Sequence, residues 1–160
     1  SLDFSSNTLV KKPTGWRNGP HGGVLNEMGS HLIDLILYLT GSETIHIDSK
    51  YSKSVISDVD DIISFEGKSG STSLALSLNW VNKSYRKPVW SGKLVTTKRE
   101  IIFDQQSLSI GFDTVAVDYY VRGRDFSLQM NHFVEGDTSI ICDSIQANRV
   151  HDVITNIKCD

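Results

Sequence analysis

The stretch GGVLNEMGSHLIDLILYLTG, at residues 22–41, carries the strongest indication of the fold. Its apolar residues recur with helical spacing, which predicts a helix over about Val24–Leu39. Gly41 follows the last apolar residue and is expected to end that helix. Because Ile33 and Leu37 lie opposite the main apolar arc, we expect the helix to be buried nearly all round.

Alternating sequence outside this helix predicts strands. The clearest is Leu74–Trp80, in which apolar residues alternate strictly with small or polar ones, as in a half-buried strand. Further strands are predicted at 2–5, 62–66, 93–96, 100–103, 108–110 and 115–121. Loops at 67–70 and around Lys98 are expected to close hairpins between neighbouring strands.

Two more helices are predicted later in the chain, at Phe126–Val134 and Ser144–Ile157. Asp143 and Gln146 have the spacing of a capping box at the start of the second. The order of strand, long helix, consecutive strands and two helices predicts an α+β fold. We expect a two-layer sandwich, in which helices cover one face of a largely antiparallel, mixed, open-faced sheet. Residues 1–160 carry no repeat or linker and are expected to form one domain.

The composition excludes several classes of protein. With 39% hydrophobic and 22% charged residues, the chain is expected to be an ordinary soluble globular domain. A net charge of −3 gives no electrostatic reason to expect nucleic acid or an anionic membrane as a partner. No apolar run approaches the ~20 residues that a membrane span needs. Cys142 and Cys159 lack metal-ligand spacing and make no disulfide framework, which favours a reducing cytoplasm.

Glu27 and His31 are candidate catalytic residues, because they lie one helical turn apart on an otherwise apolar helix. A carboxylate beside an imidazole orients the ring and favours its protonated form. Such a histidine can take a proton from a hydroxyl group as hydride leaves the same carbon. The spacing fits equally a buried His–Glu hydrogen bond with a purely structural role. A metal site made of Glu27, His31 and Asp34 is a third hypothesis, although the pair alone lacks the third ligand that zinc requires.

The residues G-G-x-L-x-E-x-G-x-H-x-x-D at 22–34, followed by Y-L-x-G at 38–41, resemble the hallmark helix of the Gfo/Idh/MocA oxidoreductase family. The resemblance continues through Trp16-Arg17 before the glycines, the segment 91–104 and the Q-x-x-H-F pattern at 129–133. It therefore spans nearly the whole chain, in order. It implies the C-terminal domain of such an enzyme, with the fold of the glyceraldehyde-3-phosphate dehydrogenase-like C-terminal domain.

The resemblance also implies roles for individual residues. In that family the histidine of this helix is the usual acid/base, which assigns that role to His31, with Glu27 holding the imidazole. The family usually has aspartate in place of Glu27, so the reach of this carboxylate differs by one carbon. Trp16, Arg17 and Asn18 are candidate substrate contacts from the loop that enters the helix; the alternative is a loop packed by its own tryptophan.

A dinucleotide-binding fingerprint is absent from the sequence, which contains no G-x-G-x-x-G. The resemblance places that motif in a preceding N-terminal domain of comparable size. We therefore expect NAD or NADP to bind the full-length protein and not this chain alone, and we expect no metal ion. The implied function is substrate binding in an NAD(P)-dependent oxidoreductase that acts on a sugar, cyclitol or nucleotide sugar.

The expected partners are a small sugar-like substrate, the N-terminal dinucleotide-binding domain and a second copy of the chain. Alternating apolar residues in Leu74–Trp80 suggest an apolar open sheet face through which copies would form a homo-oligomer. Two alternatives to the dehydrogenase remain. One is a non-catalytic binding or assembly domain on the same fold. The other is a metal-dependent lyase or hydrolase that uses Glu27 and His31.

Overall fold

The computed structural model describes residues 1–111, 113–116, 124–136 and 143–159. Its strands are β1 (Leu2–Ser5), β2 (His46–Lys53), β3 (Ile62–Ser69), β4 (Thr72–Asn79), β5 (Val89–Val95), β6 (Glu100–Asp104), β7 (Ser107–Ile110) and β8 (Asp113–Ala116). Its helical elements are a 3-10 turn (Gly15–Asn18), a π turn (Leu25–Gly29), α1 (Ser30–Thr40), α2 (Arg124–Glu135) and α3 (Ser144–Cys159). The element order confirms the predicted α+β class.

Within these ranges the eight strands form one mixed sheet, in the order β2-β3-β4-β1-β5-β6-β7-β8. β1 lies between β4, to which it is parallel, and β5, to which it is antiparallel. The other neighbouring strands pair antiparallel, as consecutive strands joined by short connections do. The parallel pair is reached by the long connection from β1 through α1, β2 and β3, and it makes the sheet mixed as predicted.

The core lies between one face of the sheet and the pair α1 and α3. Alternation within the central strands directs one set of apolar side chains to this side. The core members from the sheet include Leu2, Phe4, Ile63, Phe65, Leu76, Leu78 and Trp80. From the helical side, Ile33 and Leu37 are both buried, but Tyr38 and Leu39 are exposed, so α1 is not buried nearly all round as expected.

The open face of the sheet is polar, contrary to the expectation for Leu74–Trp80. Leu76, Leu78 and Trp80 belong to the helix-side core, so their neighbours in sequence face the other way. Those neighbours are small or polar, and Ser64 on β3 pairs with Ser77 on β4 across this face. The alternation predicted from the sequence is present, but its apolar half faces the helices and not the open side.

Several elements differ from the prediction; β3 continues to Ser69, through most of the predicted loop at 67–70, and β5 begins at Val89. β2 was not predicted, because seven of its eight residues are exposed or half-exposed polar groups at the sheet edge and show no apolar alternation. The helix predicted from Val24 begins at that residue, but its first turn, Leu25–Gly29, is a π turn. β8 ends at Ala116, and the remainder of the strand predicted to residue 121 lies outside the described residues.

The predicted helix ends are confirmed. Gly41 has a φ of 64° and ends α1 in the left-handed region. At the start of α3, the Gln146 backbone N–H donates to Asp143 Oδ1 at 2.8 Å, and the Asp143 N–H donates to Gln146 Oε1 at 3.1 Å. This reciprocal pair is the predicted capping box.

Among the helices that the structure describes, none is long and apolar enough to cross a membrane. Cys159 is an exposed free thiol at the end of α3, while Cys142 lies outside the described residues.

Candidate active site

The segment that leads into the predicted catalytic helix makes a tight turn at Gly22 and Gly23, here named the glycine turn. Gly23 has a φ of 99°, and a Cβ added there would lie 2.2 Å from Asp60 Oδ1. A Cβ at Gly22 would lie 2.2 Å from the carbonyl oxygen of Arg17. Both positions therefore require glycine, because other parts of the chain occupy the space of a side chain.

The π turn follows directly and holds Glu27 at its centre. It packs closely on the sheet: a Cβ at Gly29 would lie 3.0 Å from Leu78 Cδ1 on β4. Glu27 is half-buried there, and its backbone N–H donates to the carbonyl oxygen of Gly23 at 3.1 Å. Isolated π turns of this kind occur frequently at functional sites.

Arg17 is the main partner of Glu27. Arg17 Nε donates to Glu27 Oε2 at 2.9 Å and Nη2 donates to Oε1 at 2.8 Å, which makes a bidentate pair. These bonds and the charge of Glu27 raise the pKa of Arg17 further above its usual range. The guanidinium also lies over the Trp16 ring, 4.8 Å from its centroid. The loop ahead of the glycine turn is thus joined to the helix by one side chain.

His31 lies in the first turn of α1, where it is exposed. Within the described part of the chain, no hydrogen bond joins its imidazole to Glu27. The expected Glu27–His31 pair is therefore not formed, and both oxygens of the carboxylate accept from Arg17 instead. The sequence spacing places the two residues near each other on the helix but could not anticipate a competitor ten residues away.

Asn18 serves the structure of the loop. Its Nδ2 donates to Asp58 Oδ2 at 2.7 Å, and its Oδ1 accepts from the Asp58 backbone N–H at 2.8 Å. Lys12 Nζ also donates to Asp58 Oδ1 at 2.7 Å. Of the three predicted substrate contacts, Arg17 and Asn18 are engaged within the chain, whereas Trp16 is 59% exposed.

Asp58 belongs to a segment that sequence reasoning missed, residues 54–61, here named the acidic loop. Asp61 at its end is fully buried and accepts hydrogen bonds from the backbone N–H groups of three residues of the loop, 55, 56 and 57. Its Oδ1 also accepts from Ser57 Oγ at 2.6 Å and from Trp80 Nε1 at 2.9 Å. Burial alone would raise the pKa of Asp61, but these hydrogen bonds outweigh it and lower the pKa to about 2.

Asp60 connects the acidic loop to the start of the helix that bears Glu27 and His31. Its carbonyl oxygen accepts from the Val24 N–H at 2.8 Å, and its Oδ2 accepts from the Leu25 N–H at 2.8 Å. Burial raises the pKa of Asp60, and the Leu25 N–H and the charge of Lys158 offset only part of that effect. The run Asp-Val-Asp-Asp before a strand was the available sequence signal, but it did not indicate what each carboxylate would bind.

Metal-binding side chains do not cluster in the part of the chain that the structure describes, where no group of three or more His, Cys, Asp or Glu residues could hold an ion. Asp34 is half-buried on α1 and lines a small cleft of about 220 Å³ with Glu43, Gln146 and Arg149. It therefore lies beside the start of α3.

The sequence matches the GFO/IDH/MocA C-terminal domain family over residues 1–99, which is more than half of the chain. The chain belongs to that family, and the resemblance carried by residues 22–41 is confirmed. No curated protein matches the chain by sequence comparison.

Solved structures with the same fold include several dehydrogenases. Levoglucosan dehydrogenase, in complex with NADH and L-sorbose, superposes with a TM-score of 0.77 at 15% identity over 99% of this chain and 55% of its own. UDP-N-acetylglucosamine 3-dehydrogenase GnnA from Acidithiobacillus ferrooxidans gives 0.74 at 19% identity over 99% and 52%. An oxidoreductase from Thermotoga maritima gives 0.72 at 16% identity over 98% and 50%. The chain spans about half the length of these proteins, and at these identities the likeness establishes the fold.

Proposed function

We propose that the chain is the substrate-side domain of an NAD(P)-dependent oxidoreductase that acts on a sugar, cyclitol or nucleotide sugar. One observation carries the proposal: a member of this family presents an exposed histidine, His31, on the first turn of a helix whose entry is fixed from several sides. The names of the solved relatives support the substrate class, since two of them are dehydrogenases of a sugar derivative and of a nucleotide sugar.

In this proposal His31 is the acid/base. As the substrate hydroxyl is oxidised to a carbonyl, the imidazole accepts the hydroxyl proton, and in the reverse direction it returns that proton to the oxygen. The nicotinamide supplies the hydride chemistry when it is bound. Because His31 is exposed in this chain, its ring is accessible to a substrate held against the helix.

Glu27 acts through Arg17 in this proposal and is a positioning residue. The bidentate pair balances the positive charge of the guanidinium with the carboxylate and holds the guanidinium plane over Trp16. With its charge compensated, Arg17 is poorly suited to gripping a carboxylate or phosphate of its own. The exposed Trp16 ring offers an apolar face for a sugar ring. The surroundings therefore favour a neutral, hydroxyl-rich part of the substrate at this point.

The cofactor is assigned to a second domain. The sequence lacks the glycine fingerprint that a pyrophosphate requires, so the residues present do not fit a dinucleotide. We propose that residues 1–160 form one domain and that an N-terminal dinucleotide-binding domain completes the enzyme. Support comes from the solved relatives, of which this chain covers about half and one of which is complexed with NADH. Another is described as a putative NADPH-dependent oxidoreductase, so both NAD and NADP remain candidates.

We place the proposed contact between copies of the chain on the open face of the sheet. This face carries a shallow cavity of about 400 Å³ lined by residues that include Asp3, Tyr51, Ser64, Glu66 and Ser77. We propose that a second copy covers it in a polar interface, and that the enzyme is cytoplasmic, which fits the free thiol of Cys159.

The test is hydride transfer by the full-length protein. It is incubated with sugars, cyclitols and nucleotide sugars in the presence of NAD⁺ or NADP⁺, and formation of the reduced cofactor is followed by absorbance. We expect turnover with one of these classes. Sugar binding by calorimetry without cofactor reduction by any compound would instead support the binding or assembly domain.

A further inference from the structure

Two charged side chains from distant parts of the sequence bind the backbone on either side of the glycine turn, one as an acceptor and the other as a donor. Asp60 accepts the backbone N–H of Leu25, while Lys158 Nζ at the end of α3 donates to the carbonyl oxygens of Pro20 and Gly22, each at 3.4 Å. We propose that Asp60 and Lys158 are positioning residues that clamp the glycine turn and thereby set the orientation of the π turn and α1. The catalytic consequence rests on the function proposed above.

The start of this helix needs an external acceptor. The residue before the π turn is Val24, which has no side-chain acceptor and makes no capping hydrogen bond of its own. The first N–H groups of a helix have no partner within the helix. Asp60 supplies acceptors for two of these groups, through its carbonyl oxygen to Val24 and through its carboxylate to Leu25. A negative charge at this position also complements the helix dipole.

The Asp60 carboxylate is in close contact with the glycine turn. A Cβ at Gly23 would overlap the Asp60 carboxylate, so the carboxylate lies directly against the backbone. Asp60 is itself fixed, because the next residue, Asp61, ties together the acidic loop and Trp80. A shift of the glycine turn therefore requires movement of the acidic loop.

Lys158 brings α3 into the same arrangement. The charge of its ammonium offsets part of the rise that burial causes in the pKa of Asp60. The end of α3 is held in place in turn, since Lys50 Nζ on β2 donates to the carbonyl oxygen of Ile157 at 2.6 Å. The segment bearing Glu27 is thus fixed by the acidic loop on one side and by the last turn of α3 on the other.

The first experiment measures amide hydrogen exchange in the full-length protein and needs no substrate. Asp60→Ala and Lys158→Met are compared with Asp60→Asn, which keeps an acceptor oxygen, and with Asp152→Ala, an exposed acid of α3. We expect exchange at residues 22–29 to accelerate about tenfold in Asp60→Ala relative to β3 and β4, since a lost hydrogen bond opens the turn locally. Asp60→Asn should recover most of the protection, and Asp152→Ala should match wild type.

The outcome that overturns the clamp is exchange in Asp60→Ala that is unchanged, or that rises equally throughout the domain. The second would mean that Asp60 only stabilises the fold. Lys158→Met gives an independent check if Asp60→Ala does not fold, because it removes the opposite side of the clamp and leaves Asp60 in place.

The second experiment is kinetic and separates the two proposals. In the active full-length enzyme, Asp60→Ala should lower kcat by roughly tenfold to a hundredfold with little change in the KM of the cofactor, as misplacement of a catalytic group does. Asp60→Asn should restore most of kcat. If wild type shows no hydride transfer while local exchange still rises, the proposed function fails and the clamp stands. If wild type is active and the turn is unaffected, the clamp fails and the function stands.

Discussion

The three carboxylates of the acidic loop have different surroundings and therefore hold different parts of the site. Asp58 is exposed, and its hydrogen bonds from Lys12 and Asn18 lower its pKa. Asp60 is half-buried, and burial raises its pKa. Asp61 is fully buried and saturated with donors. The sequence places them within four residues of one another but does not say which one the fold would enclose.

Asp61 should contribute stability that depends on pH in a defined direction. Its pKa falls from 3.8 to about 2 on folding, so its contribution is present above the unfolded value and is lost as pH falls through about 2. Asp61→Asn, measured by urea unfolding at neutral pH, should lose about 2 kcal/mol. The loss of stability should become smaller as pH falls from 3.8 to about 2. A loss that stays constant over this pH range would contradict the prediction, and so would a loss as small as that of exposed Asp48→Asn.

Gly23 and Gly41 allow a matched comparison, because both have positive φ but only one has neighbours in the place of a side chain. Gly41→Ala should lower the free energy of unfolding by about 1–2 kcal/mol, the penalty for a left-handed backbone conformation alone. Gly23→Ala should lower the free energy of unfolding by roughly 1–3 kcal/mol more than Gly41→Ala does, because it also places a methyl group against Asp60. Denaturant midpoints measure both, and equal losses would show that the overlap with Asp60 is relieved at no cost.

At the scale of elements, α1 and α3 were predictable because periodicity, a terminal glycine and a capping box all indicate helix boundaries. The π turn was not, since a local change of helical pitch depends on Gly29 packing against Leu78 across the core. The same limit applies to the Arg17–Glu27 pair. It joins a loop to a helix, and its existence depends on how the glycine turn folds back.

The capping box of α3 can be tested by removing its acceptor. Asp143→Ala should destabilise the domain by about 1 kcal/mol, the usual cost of a lost N-cap. Asp152→Ala, in the middle of the same helix, should stay within about 0.5 kcal/mol of wild type. Thermal unfolding measures the difference, and two equal variants would mean that the box contributes nothing to α3.

At the scale of the whole molecule, the order of elements was enough to predict a mixed sheet with helices on one face. Consecutive strands pair antiparallel through short connections, so the sequence order determines most of the sheet. The orientation of its two faces was harder, because the alternation of Leu76 and Leu78 with Ser77 indicates two faces without saying which one the helices cover. The polarity of the open face is therefore known from the structure and not from the sequence.

Self-association of the full-length protein should depend on this open face. Ser77 lines the cavity on this face, so Ser77→Arg is expected to shift the sedimentation profile towards monomer by introducing bulk and charge. Asn156→Arg, an exposed site on α3, supplies the same side chain on the opposite layer and should leave the oligomer intact. A wild-type protein that is monomeric at high concentration, or two variants with the same profile, would exclude this interface.

The proposed acid/base role of His31 can be tested by measuring turnover in the full-length protein with His31→Ala. His151→Ala, which removes an exposed histidine from α3, is the matched control. We predict that His31→Ala lowers kcat by roughly 10²–10⁴-fold, the usual contribution of a general base, while the unfolding midpoint stays near that of wild type. Turnover close to that of wild type in a folded His31→Ala protein would contradict the acid/base role of His31.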